Sequence, residues 1–444
     1  MKVVPQSNAA ADRASLADRL SAQQISSVFE KAMKTHVVGR EKDTSVIFYD
    51  LSFLEQRIQD LLGLFPASTL HTVAVKANPL RAVLAKVATV GAGFEAATLP
   101  ELHLATSVGI SPDRIVFDSP TKTQEELEFA LALGVHINAD SLNELRRIDK
   151  LVRYRQPRGT IGVRINPQVG TGKILSTSVA GDYSKFGVPL NEQQDELRTA
   201  FTKYAWLNGV HLHIGSQGCS LEMLLNGVHR VLEFVRSIEI EFEPRNKPRV
   251  SIIDLGGGLP VSYYQNEAPT RMTEYSESLR HRFPELFDDN RKLITEFGRY
   301  VYANTGWVAS RVEYVKKGSS VNTAMIHVGA DLMLRECYNP QDWHHDISVV
   351  DREGRLKTGV DSVKYMIAGP LCFAGDIIAR EVELPEIEAG DYVIIHDTGA
   401  YTLSMWSRYN SRQIPRVIGY RDDGSEFEVL KERETINDIL RFWT

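Results

Sequence analysis

Apolar residues recur in two rhythms along this chain. From Val46 to about residue 300, short apolar runs alternate with longer stretches of mixed polarity. VIFYDL (46–51) precedes LEQRIQDLLGLF, HTVAVKAN (71–78) precedes LRAVLAKVATV, GFEAAT (93–98) precedes ELHLATSVG, and RIVFDS (114–119) precedes TQEELEFALALG. VHINAD (135–140) precedes LNELRRIDKLVRY, and TIGVRINP (160–167) follows. WLNGVHLHIGS (206–216) precedes LEMLLNGVHRVLEFVRSIE; SIIDLGGG (251–258) and LITEFGR (293–299) close the series. The runs have the length of buried strands, and the intervals that of amphipathic helices. Eight or nine alternations over about 250 residues predict a parallel sheet with crossover helices, and the count suits a (β/α)8 barrel better than an open doubly wound sheet.

Beyond about residue 305 the rhythm changes. WVASRVEYVKKG, TAMIHVG, VKYMIAG, DIIAREVELP, GDYVIIHDTG, RVIGYRDDG and FEVLKE are short strand-like runs divided by Gly, Pro and Asp. They predict an antiparallel β domain. Residues 1–44 are polar and helix-prone, with an amphipathic stretch from Ser15 to Ala32, and are expected to pack with that β domain. The expected organisation is therefore 1–44, a barrel over 45–305 and a β-barrel domain over 306–444. No linker, low-complexity segment or solenoid period interrupts it.

Composition narrows the class without naming a function. The 444 residues are 43% hydrophobic and 24% charged, as in ordinary globular proteins. No apolar run approaches the roughly 18 residues needed to span a bilayer. A net charge of −6, from 51 basic and 57 acidic residues, gives no general attraction to nucleic acid or anionic membrane. The opening stretch MKVVPQSNAAADRASLADRL has no apolar core of a secretory signal. Three cysteines (Cys219, Cys337 and Cys372) are too few for a disulfide scaffold and fit a reducing cytoplasm.

In a barrel, chemistry sits at the C-terminal ends of the strands. Polar residues stand there on otherwise apolar runs: Lys76 in VAVKANP, Glu95 in GFEAAT, Arg164 in GVRINP, His213 in HLHIGSQ, Gly256, Gly257 and Gly258 in DLGGGLP, and Glu296 and Arg299 in TEFGR. Each alone has a plain structural reading. A strand-end lysine is usually solvated, a histidine on an apolar strand is usually a hydrogen-bonded core residue, and a glycine run is usually a tight turn. Their order and spacing together favour a site.

VAVKANP, HLHIGSQ, DLGGGLP, EFGR, GPLCFAGD and GAYTLSMWSRYNSR, in this order over roughly residues 40 to 425, resemble the fold-type III pyridoxal phosphate decarboxylases. That family includes diaminopimelate, ornithine and arginine decarboxylases. The resemblance implies a (β/α)8 barrel followed by a β-barrel domain, and pyridoxal 5′-phosphate as the electron sink for the carbanion left by CO2 loss. It makes Lys76 the Schiff-base lysine, and an apolar strand before it would favour its neutral form. Glu296 would keep the pyridine nitrogen protonated. His213 would stack on the ring, and the backbone of Gly256, Gly257 and Gly258 would approach the phosphate. Glu95, Arg164, Ser216, Gly298, Arg299 and Tyr401 complete the expected cofactor contacts. Cys372 would enter the site of the other subunit of a homodimer as a proton donor, with Asp376 nearby. Alanine racemases of similar fold carry an arginine in the role of Glu296 and continue the lysine motif with Ala-Tyr-Gly. Here Ala77, Asn78 and Pro79 follow Lys76, which favours decarboxylation.

The expected substrate is a small amino acid, and its distal end is where the chain departs from its relatives. Ornithine decarboxylases hold a distal amine with acids at positions matching Phe373 and about His327, and neither acid is present. Diaminopimelate decarboxylases hold a distal carboxylate with arginines matching Arg299 and Arg335. Their tyrosine lies four residues after the second arginine, whereas Tyr338 lies three after Arg335. Their glutamate after the cysteine is replaced by Phe373. Retained carboxylate receptors with a lost amine receptor suggest a distal carboxylate without a free distal ammonium, as in citryl-type conjugates of siderophore assembly. The competitor is meso-diaminopimelate. A catalytically inactive binding homologue is the alternative from another class, and retention of Lys76, His213, Glu296, Cys372 and Tyr401 argues against it. No metal-ligand spacing stands out; His344 and His345 in DWHHD read either as a loop feature or as a contribution to the substrate mouth.

Overall fold

The computed structural model describes residues 18–153, 156–241, 249–265, 267–359 and 362–444. The first part of the amphipathic stretch expected from Ser15 lies outside them.

Eight parallel strands close into a ring: Leu70–Ala74, Gly93–Ala96, Ile115–Asp118, His136–Ala139, Ile161–Asn166, Leu207–His211, Ile252–Asp254 and Lys292–Thr295. Lys292–Thr295 pairs with both Ile252–Asp254 and Leu70–Ala74, and His136–Ala139 pairs with Ile161–Asn166, which completes the closure. The strands are buried almost throughout, as a sheet covered by helices requires. Local sequence sets the helix ends. Gln124–Leu133 starts on a reciprocal Thr123–Glu126 capping box and stops at Gly134, whose φ of 92° few other residues tolerate.

Ser45–Asp50, read above as the first strand of the series, is not in the ring. It pairs antiparallel with Gly306–Lys316 and parallel with Arg416–Arg421 in a second sheet. Sequence does not separate the two placements, because this strand is buried on both faces and so has the same unbroken apolar run as a barrel strand. The second sheet is mixed rather than wholly antiparallel, since Asn322–Ile326 and Val363–Ala368 also run parallel. The strand Ile347–Val350 and the helix Ile436–Trp443 add elements that the apolar pattern does not single out.

The helix Ala22–Lys34 packs on the second sheet. Its buried face, Ile25, Val28, Phe29, Ala32 and Met33, meets Phe48, Trp307, Tyr392 and Tyr420. Phe48 and Trp307 stack at 4.1 Å, and Phe29 meets Tyr392 edge-on at 4.9 Å. The loop after strand Tyr392–Ile395 seats the second sheet on the barrel. Tyr401 N–H donates to the Ala77 carbonyl at 2.9 Å, and Asn78 Nδ2 donates to the Gly399 carbonyl at 3.3 Å. A Cβ at Gly399 would lie 1.8 Å from the Tyr302 carbonyl oxygen, so only glycine permits this approach. No helix among the described residues is long and apolar enough to cross a membrane.

Phe29→Ala should remove about 3–5 kcal/mol of stability. Chemical denaturation measures it; a loss below about 1 kcal/mol would mean that the helix does not rely on its aromatic anchor.

Candidate active site

Lys76 lies in a single helical turn, Val75–Ala77, at the end of strand Leu70–Ala74. Its Nζ meets Glu95 Oε2 at 2.5 Å, where Glu95 stands fully buried on Gly93–Ala96. The surroundings of the amine are acidic rather than apolar, which corrects the expectation of a neutral lysine. Burial opposes its charge, but Glu95, Glu296 and Asp118 overcome that and hold the ammonium well above its usual range. Glu95 is pushed up, by burial first and then by Glu296, with Lys76 opposing.

Glu296 follows strand Lys292–Thr295. Its Oε2 lies 3.6 Å from His211 Nε2 and 3.9 Å from His213 Nδ1, while Oε1 is buried without a hydrogen-bond partner. Burial would raise its carboxyl, yet His211 outweighs this and the group stays below the ordinary range. His211 is buried between Glu296 and Asp118, with Nδ1 3.7 Å from Asp118 Oδ1. Against the pull of burial, Asp118, Glu296 and Asp254 raise it to about 9. Arg164 adds a contact of 3.2 Å to Asp118, and its guanidinium also lies 4.5 Å from the Phe186 ring. His213 behaves oppositely. Burial, joined by Arg164, lowers it to about 3, and its Nδ1 accepts the Gly257 N–H at 3.1 Å. A neutral ring with Nε2 protonated follows. Donor atoms of His211, His213 and Glu296 lie within 4.8 Å of one another, so this cluster also has the spacing of a cation site.

The glycine run is set by backbone packing. A Cβ at Gly257 would lie 2.4 Å from the Glu296 carbonyl oxygen, and one at Gly258 2.0 Å from that of Gly215. Gly256 N–H donates to Asp254 Oδ1 at 2.9 Å. Side chains are thus excluded by neighbouring strand ends, a second reason for glycine beside the phosphate approach expected above. Gly298 opens the short helix Gly298–Tyr302 against the lysine turn, where a Cβ would come within 2.9 Å of Ala74 and Ala77.

The second sheet supplies the other wall. Tyr401, at φ 58°, places its ring 4.7 Å from the Arg299 guanidinium and 4.8 Å from that of Arg335. Trp343 lies 5.2 Å from Arg299 and 4.5 Å from Arg335. Arg299 also donates to Ser216 Oγ at 3.0 Å and to the Tyr263 hydroxyl. Neither arginine is in an ion pair among the described residues. Burial and Arg299 together lower Arg335, as expected of a cation that lacks an anion.

Cys372 and its neighbours sit apart from this cluster in their contacts. Cys372 is exposed, and its backbone is held by Asn410 Oδ1 at 2.8 Å and the Tyr409 hydroxyl at 3.0 Å. Phe373 stacks on Tyr338 at 5.0 Å. Asp376 is buried and accepts the N–H groups of Ala330 (2.5 Å) and Leu371 (2.6 Å). It braces the Cys372 loop, because a buried carboxylate takes the nearest unpaired backbone donors.

Sequence reasoning missed His211, Asp118, Asp254, Tyr263 and Trp343. For the first three a signal exists: each is a polar residue ending a strand, and His211 precedes His213 by the two-residue period of one strand face. Tyr263 and Trp343 lie on loops and carry none.

Two family models match. One, described as the pyridoxal binding domain of pyridoxal-dependent decarboxylase, covers residues 51–303; the other, described as its C-terminal sheet domain, covers 299–399. The diaminopimelate decarboxylase of Archaeoglobus fulgidus is 30% identical over 418 residues, spanning 92% of this chain and 95% of that protein. That of Methanothermobacter thermautotrophicus is 32% identical over 377 residues, 83% of each chain. Among solved structures, diaminopimelate decarboxylase from Helicobacter pylori complexed with L-lysine superimposes with a TM-score of 0.79 at 28% identity, covering 94% of this chain and 99% of that one.

The ligand-free protein should lose stability as pH rises through about 9, because the native state holds a proton on His211 that the unfolded chain, titrating near 6.5, has released. The contribution is fully present below about 6.5. Urea midpoints from pH 6 to 10 measure it; His211→Asn should flatten that slope, and an unchanged slope would refute the assignment.

Proposed function

The chain belongs to the pyridoxal-dependent decarboxylases, and from that premise we propose that it removes the α-carboxylate of an amino acid whose far end carries a second carboxylate. Pyridoxal 5′-phosphate is the cofactor of the family, and when bound it serves as the sink for the electron pair left by departing CO2. The residues present fit it. Glu296 Oε1 is buried and unpartnered, as a carboxylate awaiting a protonated ring nitrogen would be. His213 is neutral beside it, so it can face an aromatic ring without adding charge. Lys76 presents its amine at a strand end beside Glu95, its side chain 41% exposed and so open to a cofactor.

The chain's own groups then divide the work. Lys76 would hold the cofactor through its amine, and Glu95 beside it would take up or return a proton at Nζ. Glu296 would partner the protonated ring nitrogen, with His211 keeping Glu296 ionised. Arg299 and Arg335 hold the distal carboxylate. Cys372 delivers a proton to the substrate carbon across a homodimer, which accounts for an exposed thiol on a braced loop.

The carrying observation is the pair of guanidinium groups 4.7 Å and 4.8 Å from the Tyr401 ring, neither of them in an ion pair among the described residues. A buried cation without a partner is costly, and a substrate carboxylate relieves that cost. Meso-diaminopimelate is the substrate that the named relatives support. A second reading rests on Phe373 stacked on Tyr338: this pair offers no carboxylate to a distal ammonium. It favours a conjugate whose distal amine is acylated by a polycarboxylate such as citrate.

CO2 release from meso-diaminopimelate and from citryl-amino acid conjugates separates the two. Efficient turnover of the former defeats the conjugate reading, and turnover of neither defeats the distal-carboxylate reading. Lys76→Ala should abolish both CO2 release and the visible absorption of bound cofactor. Cys372→Ala should lower kcat by about 10²-fold with the absorption retained. Mixing the two inactive variants should restore activity, since mixed dimers carry one intact site; no restoration would rule out sharing.

A further inference from the structure

Arg299 and Arg335 reach one aromatic surface from different parts of the chain. Arg299 belongs to Gly298–Tyr302 beside the barrel, and Arg335 to the short helix Leu334–Tyr338. Like charges this close repel, and each long side chain loses rotamer freedom when held. Their fixed presentation therefore needs a support that is not an anion at the guanidinium groups themselves.

Behind them lies a buried ion pair. Glu336 Oε1 and His345 Nε2 are 2.8 Å apart, each side chain 3% exposed. His345 Nδ1 donates to the His396 carbonyl at 2.6 Å, so both ring nitrogens act as donors, as in a protonated imidazole. The other acid beside it, Asp346, is engaged by Arg19 at 2.9 Å. The pair connects to both arginines. Glu336 directly follows Arg335. The His345 ring packs on that of Tyr263 at 4.8 Å, and Tyr263 accepts from Arg299. Two residues before His345, Trp343 lies against both guanidinium groups and meets Tyr263 edge-on at 6.2 Å.

We infer that the buried Glu336–His345 ion pair is the positioning device of the distal-group receptor: through Tyr263 and Trp343 it sets where Arg299 and Arg335 present their guanidinium groups. This rests on the distal-carboxylate reading above. Glu336 and His345 act through other residues and are positioning residues. Burial opposes charge on both, yet their mutual attraction raises His345 and lowers Glu336, so the pair stays ionised. One of the two readings of His344 and His345 is thereby resolved: His345 serves the substrate mouth from behind, while His344 meets Tyr264 at 6.0 Å, away from these contacts.

The test uses holoenzyme carrying Glu336→Gln, His345→Gln or Tyr263→Phe, with the preferred distal-carboxylate substrate and with glutarate as a dicarboxylate probe in calorimetry. KM and the glutarate Kd should rise roughly tenfold to a hundredfold in the ion-pair variants and less in Tyr263→Phe, with kcat and the visible absorption of the cofactor little changed. Unshifted KM and Kd in folded variants overturn the inference, as does a joint fall of kcat and cofactor absorption, which would mark a general structural role. Should both ion-pair variants fail to fold, Tyr263→Phe decides by the same readouts. Wild-type enzyme indifferent to the distal carboxylate would remove the receptor reading itself and this inference with it. Wild-type preference with unshifted variants would remove the inference alone.

Discussion

Charge of one sign cannot be buried at the mouth of this barrel unless charge of the other sign is buried beside it. Along the strand ends the groups alternate: Glu95, Lys76, Glu296, His211, Asp118 and Arg164. Each cation favours the ionised form of the acid next to it, against burial and the neighbouring acids, which favour the protonated form. Removing any one would leave a buried partner uncompensated, the costly case for an ion pair in a protein interior. The histidines show how local this balance is. His211 and His213 are two residues apart, yet Asp118 and Glu296 drive the first up to about 9, while burial, joined by Arg164, drives the second down to about 3. Glu296 thus has a protonated imidazole behind it and a neutral one beside it.

The second sheet is more than a cover. Its loop at Gly399–Tyr401 hydrogen-bonds to the lysine turn, so Lys76 and the ring that Arg299 and Arg335 meet are referenced to one piece of backbone. Proximity effects depend on that kind of shared frame. The helix Ala22–Lys34 then fastens the far side of the same sheet through Phe29 and its aromatic neighbours. Arg19, just before that helix, bonds to Asp397 and Asp346, near the Glu336–His345 pair. Arg19 thus links the start of this helix to the loop that carries His345.

Much of the fold is legible in sequence because barrel strands write their burial as unbroken apolar runs, and crossover helices write theirs as a 3.6-residue period. The same property misplaces Ser45–Asp50: a strand buried on both faces reads alike in a barrel and in a covered mixed sheet. The strand-end residues Lys76, Glu95, Arg164, His213 and Glu296 are legible because a charged or polar residue ending an apolar run is out of place. The bracing role of Asp376 is not legible, since its carboxylate serves backbone donors that sequence cannot show.

By itself, the sequence determined the alternation of strands and helices, the motif order that marks the decarboxylase family, and which residue types stand at the strand ends. All of these are local, one-dimensional properties. Tertiary structure decided the protonation of the lysine and the two histidines, the meeting of Arg299 with Arg335 at Tyr401, and the buried pairing of Glu336 with His345. Those depend on Coulomb interactions and burial between groups far apart in the chain, whose strength is set by distance in space rather than by separation in sequence.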